Sequence, residues 1–224
     1  MSLKCGIVGL PNVGKSTIFN ALTASSVPAE NYPFCTIDPH VGLVPLPDPR
    51  LFELEKIYKP EKATPATVEF TDIAGLVKGA STGEGLGNKF LGQIKQVGAI
   101  IHVIRCFNDS NVVHVEGNVD PVRDAELIET ELLLADLATL ERRLIKISKS
   151  AKGGDKTAFR KIKVLEQLLE HLNNGHRART FPTKDDDIPF IRSLFLMSRK
   201  PILYVANVDE QEIQNAERNE HVQA

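Results

Sequence analysis

Apolar residues are spaced along this chain in two different ways. Short stretches with apolar residues occur at 4 to 9 (KCGIVG), 68 to 72 (VEFTD), 98 to 107 (GAIIHVIRCF) and 201 to 207 (PILYVAN), and each reads as a strand, the first of them buried. With helical sequence between them, they fit a mostly parallel sheet wrapped by helices. Nearly 100 residues part the last two runs, far more than one crossover helix needs, so something is inserted.

The second rhythm lies in that gap. Leu133, Leu137, Leu140, Leu144 and Ile147 are spaced 4, 3, 4, 3. After Gly153-Gly154 the series Ala158, Ile162, Leu165, Leu169, Leu172 follows a similar spacing. Two helices with a shared apolar seam and a glycine turn predict an antiparallel coiled-coil hairpin. Its first helix, from about Asp120 to Ser150, would reach on the order of 45 Å. The resulting division is 1–120 for the first part of an α/β domain, 121–195 for the helical insertion, and 196–224 for the domain's continuation.

The turn after the first strand is GLPNVGKS: Gly9, four residues, Gly14, Lys15, Ser16. This strand–turn–helix setting suits a phosphate loop, in which successive backbone N–H groups converge on an anion and the glycines allow close approach. Asn12, Val13, Gly14, Lys15, Ser16 and Thr17 would surround the phosphates. Lys15 supplies a point charge to the β- and γ-phosphates, and Ser16 would hold Mg2+ at the positive end of the following helix. Asp72, 57 residues beyond Lys15 at a strand end, begins D-x-x-G, the arrangement in which the carboxylate holds Mg2+ through water and the Gly75 N–H meets the γ-phosphate. Thr36, in NYPFCTIDP, is the second candidate Mg2+ ligand, on a loop that orders around a triphosphate. The stretch LVKGASTGEGLGNKF, with four glycines, reads as a loop that rearranges on hydrolysis. A small-molecule kinase would need an arginine-rich lid, and a motor ATPase an acidic residue beside Asp72, where this chain has Ile73.

GLPNVGKST, PFCTIDP, DIAGLVKGASTGEGLGNKFL and Asn207-Val208-Asp209-Glu210 together resemble the Obg-related branch of P-loop GTPases, and within it the YchF-type Obg-like ATPases. The fold implied is a Ras-like P-loop NTPase domain with an inserted helical hairpin. The resemblance implies ATP hydrolysis in preference to GTP, a Mg2+ requirement, and a ribosome partner, expected on the large subunit. It also implies a sixth strand, a base-contacting SAK-like loop and a C-terminal TGS domain, so a chain that stops at Ala224 reads as a fragment.

Guanine-specific members carry N-K-x-D at Asn207 to Glu210. Here Val208 replaces the Lys and Glu210 the Asp, and a longer carboxylate in that place would have to shift to pair both guanine donors. Asn207, Val208 and Glu210 are therefore the candidate base-contacting residues, with ATP expected over GTP. Where many GTPases have a water-orienting Gln after the D-x-x-G glycine, this chain has Leu76, which cannot perform that task. The resemblance carries a catalytic histidine onto His114, whose imidazole would position water. It also gives Asn12 a part in holding K+ against the phosphates, where the ion supplies positive charge.

Composition narrows the class. Hydrophobic content of 42% and charged content of 25% suit a globular protein, and no apolar stretch approaches a membrane span. Cys5, Cys35 and Cys106 are an odd number without metal-ligand spacing, so reduced thiols are expected; a start that runs straight into a strand instead of a signal-peptide apolar region gives a cytoplasmic protein as the expectation, and a monomer is expected. Charge is unevenly placed. From Arg142 to Lys163 nine basic residues face one acidic residue, a net of +8 in a chain of net charge -2. That segregation points to a polyanion, such as ribosomal RNA, at the hairpin. The alternative to a switch enzyme is a nucleotide-dependent RNA- or protein-binding module with incidental hydrolysis.

Overall fold

The computed structural model describes residues 3–24, 40–73, 86–109, 111–151 and 156–224. Strands β1 (Leu3–Val8), β2 (Val41–Pro45), β3 (Thr67–Asp72), β4 (Ala99–Arg105) and β5 (Ile202–Asn207) form one sheet in the order β2-β3-β1-β4-β5. Only β2 runs antiparallel to its neighbour; β3, β1, β4 and β5 are parallel. The central strand β1 buries its last four residues, as an apolar run covered on both faces must.

Helices α1 (Lys15–Thr23) and α3 (Leu86–Gln96) bring Phe19, Phe90, Leu91 and Ile94 onto Ile7, Val8, Ile100 and Val103 of the sheet. The long helix α4 (Pro121–Ala151) adds Ile128, Leu132 and Ala135 to the same core. Each such aliphatic side chain contributes about 1.5–3 kcal/mol by leaving water. The beginning of the insertion is therefore packed into the domain that carries the phosphate loop.

Antiparallel pairing of α4 with α5 (Lys156–Asn173) confirms the hairpin, and Leu133, Leu140, Leu165 and Leu172 are buried in its seam. Val164 and Leu168 are buried as well, beyond the predicted series. Leu168 is covered because the seam is more than two helices wide at its base. Ala178, Leu194 and Leu196 join it, with Phe181 and with Phe190 of α6 (Ile188–Arg192) packed alongside.

Two further elements depart from the sequence reading. Helix α3 begins at Leu86, so the end of the glycine-rich stretch is helical where a loop was expected; residues 74–85 lie outside those described. Helix α2 (Pro49–Tyr58) starts at an Asp48 cap whose side chain accepts from the Arg50 N–H, and it buries none of its residues. Its Phe52, Leu54, Ile57 and Tyr58 are exposed, so its apolar residues mark no face of the core.

Among the buried carboxylates of α4, Glu129 and Asp136 each have converging donors. Asp136 accepts from the Met197 and Ser198 N–H groups, both at 2.8 Å, and from the Ser198 hydroxyl at 2.7 Å. Burial nevertheless raises its pKa above the ordinary value. Glu129 accepts from Tyr204, Arg177 and Arg179, whose combined effect outweighs burial and holds its carboxyl below the usual range. One pair joins α4 to the segment before β5, the other to β5 itself.

Near Glu129, His102 of β4 is 1% exposed, and its Nδ1 has no hydrogen-bond partner. Burial pushes its pKa down from 6.5 to about 4, Glu129 opposing and Lys15 adding to the effect. Between those values the unfolded chain takes up a proton that the folded one refuses. Stability should thus fall as pH drops from 6.5 to 4, by up to about 3 kcal/mol from this group. Urea unfolding of His102→Leu is expected to show a flatter pH dependence across that window than the unsubstituted protein; identical slopes would contradict this.

Candidate functional site

The phosphate loop leaves β1 at Val8 and enters α1 at Lys15. Gly14, the residue before the helix, has φ 96°, a left-handed conformation, and a Cβ there would collide with the Asn207 amide. At Gly9 a Cβ would come within 2.5 Å of the Val103 carbonyl oxygen. Glycine is thus required at both ends of the loop, by backbone conformation at one and by the neighbouring strand at the other.

Lys15 is buried, and its Nζ donates to the Leu10 carbonyl at 2.7 Å, across the loop it would serve. Burial lowers its pKa, with Asp72 acting in the opposite direction. A desolvated ammonium beside empty coordination directions interacts more strongly with an anion than one in water. Ser16 and Thr17 face solvent from the first turn of α1, while Val13 is buried beneath the loop. Ser16 Oγ donates to Asp72 Oδ2 at 2.7 Å, so the hydroxyl of α1 and the carboxylate ending β3 meet directly. Hard oxygen donors, few in number, suit Mg2+, which keeps several waters and draws other ligands from phosphates. No cluster of three or more His, Cys, Asp or Glu that could form an all-protein metal cage occurs among the described residues. Thr36 and Gly75 lie outside the described residues.

At the end of β5, Asn207 Nδ2 donates to the Val13 carbonyl at 2.9 Å, and its own carbonyl accepts from the Cys106 N–H. The segment expected to contact the base is therefore bonded to the Gly9–Ser16 loop. Val208 is half-buried and Glu210 exposed. Asp209 caps the turn that follows, its Oδ1 accepting from the Gln211 N–H at 3.2 Å, so its carboxylate is engaged within its own loop. A cleft of about 510 Å3 opens beside this segment, with Cys106, Phe107, Asn108, Asp209 and Gln211 among the residues lining it.

The segment after β4 also converges here. Arg105, 2% exposed, donates to the carbonyls of Phe107 (3.1 Å), Asp109 (3.2 Å) and Val112 (2.9 Å), with its guanidinium 4.6 Å from the Phe107 ring centre. Asn12, at φ 62°, donates from Nδ2 to the Val113 carbonyl at 3.1 Å. His114 follows, 8% exposed, its Nδ1 accepting the Glu116 N–H (3.1 Å) and its Nε2 2.8 Å from Asp124 Oδ2. An Nδ1 that accepts leaves Nε2 as the protonated, donating nitrogen. Sequence reasoning marked His114 but not Asp124 or Arg105, because nothing in their spacing indicates what they would meet.

A glycine loop opening a helix, a serine and strand-end aspartate in contact, and this strand order define a P-loop NTPase of the G-domain class. The sequence profile of the family described as 50S ribosome-binding GTPase matches residues 4–133, and the chain belongs to that family. It is 54% identical over 215 residues to the ribosome-binding ATPase YchF of Escherichia coli O157:H7, covering 96% of this chain and 59% of that protein. It is 52% identical over 222 residues to the protein of the same name from Bacillus subtilis (strain 168), covering 99% of this chain and 61% of the relative. Among solved structures, the YchF GTPase of Schizosaccharomyces pombe matches with a TM-score of 0.83 at 39% identity, over 99% of this chain and 60% of that one. The chain thus spans about three-fifths of the length of these relatives.

Because Asn207 braces the Val13 carbonyl, Asn207→Ala should weaken ATP and tripolyphosphate binding alike, by about tenfold. Titration calorimetry with both ligands checks this; a loss confined to ATP would show that Asn207 serves the base alone.

Proposed function

We propose that the protein is a Mg2+-dependent P-loop NTPase that hydrolyses ATP in preference to GTP and acts as a nucleotide-switched partner of the ribosome. The Ser16–Asp72 contact at the mouth of the phosphate loop carries the hydrolase reading, since it joins the two oxygen ligands such a site needs. Backbone N–H groups of Val13 to Thr17 and the Lys15 ammonium bind the β- and γ-phosphates, with Gly75 donating to the γ-phosphate. Ser16, Thr36 and Asp72 would hold Mg2+, which when bound neutralises charge developing on the phosphates. Asn12 keeps its amide oxygen for a K+ ion, since its nitrogen is spent on Val113.

Water must attack the γ-phosphorus in line with the leaving β-phosphate oxygen, giving ADP and phosphate. His114 is the group assigned to orient that water, Leu76 being unable to do so. Asn207, Val208 and Glu210 select the base. Adenine presents an acceptor at N1 and a donor amine at C6, and neither requires the short carboxylate that guanine does. The occupation of Asp209 by its own loop removes the nearest substitute. Val208→Lys together with Glu210→Asp is expected to move the ATP:GTP ratio of kcat/KM toward GTP by about tenfold or more; an unchanged ratio would place selectivity elsewhere.

The ribosome reading rests on charge, and a ribosomal partner would place the protein in the cytoplasm. Arg142, Arg143 and Lys146 of α4 and Lys95 of α3 line a cleft of about 290 Å3 at the side of the hairpin. The buried Nε of Arg143 lacks a hydrogen-bond partner there. On α5, Arg160 is bonded to Asp187 at 2.8 Å and to Asp186 at 3.3 Å, and these carboxylates offset its charge. The RNA contact on the large subunit is therefore assigned to the α4 side of the hairpin. Arg142→Glu with Arg143→Glu should lower ribosome co-sedimentation and reduce the dependence of affinity on log salt by about one to two phosphate contacts. Equal co-sedimentation at low salt would remove the hairpin from the interface.

A second reading, a nucleotide-dependent binding module with incidental hydrolysis, is favoured by one observation. Both ring nitrogens of His114 are already engaged.

A further inference from the structure

The segment Val113-His114-Val115 is placed against the ordinary preference of its side chains. Val113 is 73% and Val115 51% exposed, while the imidazole between them is 8% exposed. The His114 carbonyl accepts from the Gly117 N–H at 3.1 Å, so Val115 opens a turn, and both valines stand in solvent while the imidazole is held inside. Hydrophobic burial would favour an arrangement that covered the valines instead, by about 1.5–3 kcal/mol for each one fully covered. A compensating interaction must hold the present arrangement.

Asp124 supplies that interaction. Its Oδ2 accepts the His114 Nε2–H at 2.8 Å, with both side chains almost wholly out of solvent. Arg123 donates to Oδ1 through Nε and a terminal nitrogen at 3.2 and 2.9 Å, and also bonds to Asn118. A charge-assisted bond in such surroundings is about twice as strong as a neutral one. Its geometry, however, leaves the imidazole without a nitrogen to offer water.

We propose that Asp124 is a latch that holds His114 away from the nucleotide, and that movement of the first turn of α4 releases it. This rests on reading His114 as the water-orienting group. Neighbouring contacts define what would move. Arg105 fixes the chain before the segment to the end of β4, and Asn12 ties the Val113 carbonyl to the phosphate loop. Release therefore requires a turn of a few residues beside the phosphates, not a long excursion. Asp124 belongs to the helix that continues for 31 residues into the basic hairpin. A partner that shifts this helix acts on the latch directly, and nucleotide-loop movement reaches it through Asn12.

Single-turnover ATP hydrolysis by the intact protein, with and without purified ribosomes, tests the latch in Asp124→Ala, His114→Ala and the double variant. Asp124→Ala should raise the ribosome-free rate about three- to tenfold, as expected on losing one charge-assisted hydrogen bond, and shrink the stimulation by ribosomes. In the His114→Ala background, which should itself be at least about tenfold slower, the same change should do nothing. Asp124→Asn keeps an acceptor but loses the charge, so an intermediate rise is expected, and it serves the same test should Asp124→Ala not fold. A slow His114→Ala combined with unchanged or lower rates in both Asp124 variants overturns the latch and leaves the histidine's role standing. Full activity in His114→Ala overturns both.

Discussion

A carboxylate buried in a protein costs several kcal/mol unless donors surround it, and α4 buries Asp124, Glu129, Glu131 and Asp136. Asp124, Glu129 and Asp136 are each met by two or more donors, drawn respectively from the His114 segment and its neighbour Arg123, from β5 and the 177–179 stretch, and from the 197–198 backbone. Because each donor set is directional, the rotation and height of α4 against the sheet are fixed. The hairpin then leaves the domain in one direction, and the His114 segment, β5 and the insertion share a single support. A helix held only by leucines could slide by fractions of a turn at small cost.

The phosphate site is bound into the same frame from the other side. Asn207 at the end of β5 bonds to Val13, Asn12 to Val113, and Ser16 to Asp72. Each of these contacts joins elements distant in sequence, and each uses a polar group that a nucleotide or metal would also call upon. Nucleotide binding cannot be silent in such an arrangement, since drawing Asn12 or Ser16 toward a ligand alters what Val113 or Asp72 can hold. Coupling of this kind is a requirement of a switch, because a ligand shifts an equilibrium only through contacts that differ between its states.

Much of this was legible in the sequence where chemistry or periodicity leaves little choice. Gly9, Gly14, Lys15 and Ser16 are prescribed by phosphate geometry, so their spacing identifies the loop. Ile100, Ile101 and Val103 announce a buried strand by continuity, and Leu133 to Ile147 announce a seam by their repeat. Asp124, Glu129 and Asp136 read as ordinary surface acids of a long helix, because what buries them comes from segments 10 to 75 residues away. Arg105 is similarly silent, since its partners are backbone carbonyls and impose no residue type. Helix α2 carries apolar residues but buries none of them, and its start is set by the local Asp48 cap. The inversion at Val113 to Val115 conflicts with hydrophobic patterning, and such conflicts are concentrated where a protein works.

Base selection is the claim on which the identity of the substrate turns, and equilibrium binding tests it most directly. The dissociation constants of ATP and GTP, measured side by side in Mg2+ by titration calorimetry with the intact protein, should differ by about tenfold or more in favour of ATP. Equal affinities, or tighter binding of GTP, would contradict the assignment of Val208 and Glu210 as the residues that turn a guanine site into one for adenine.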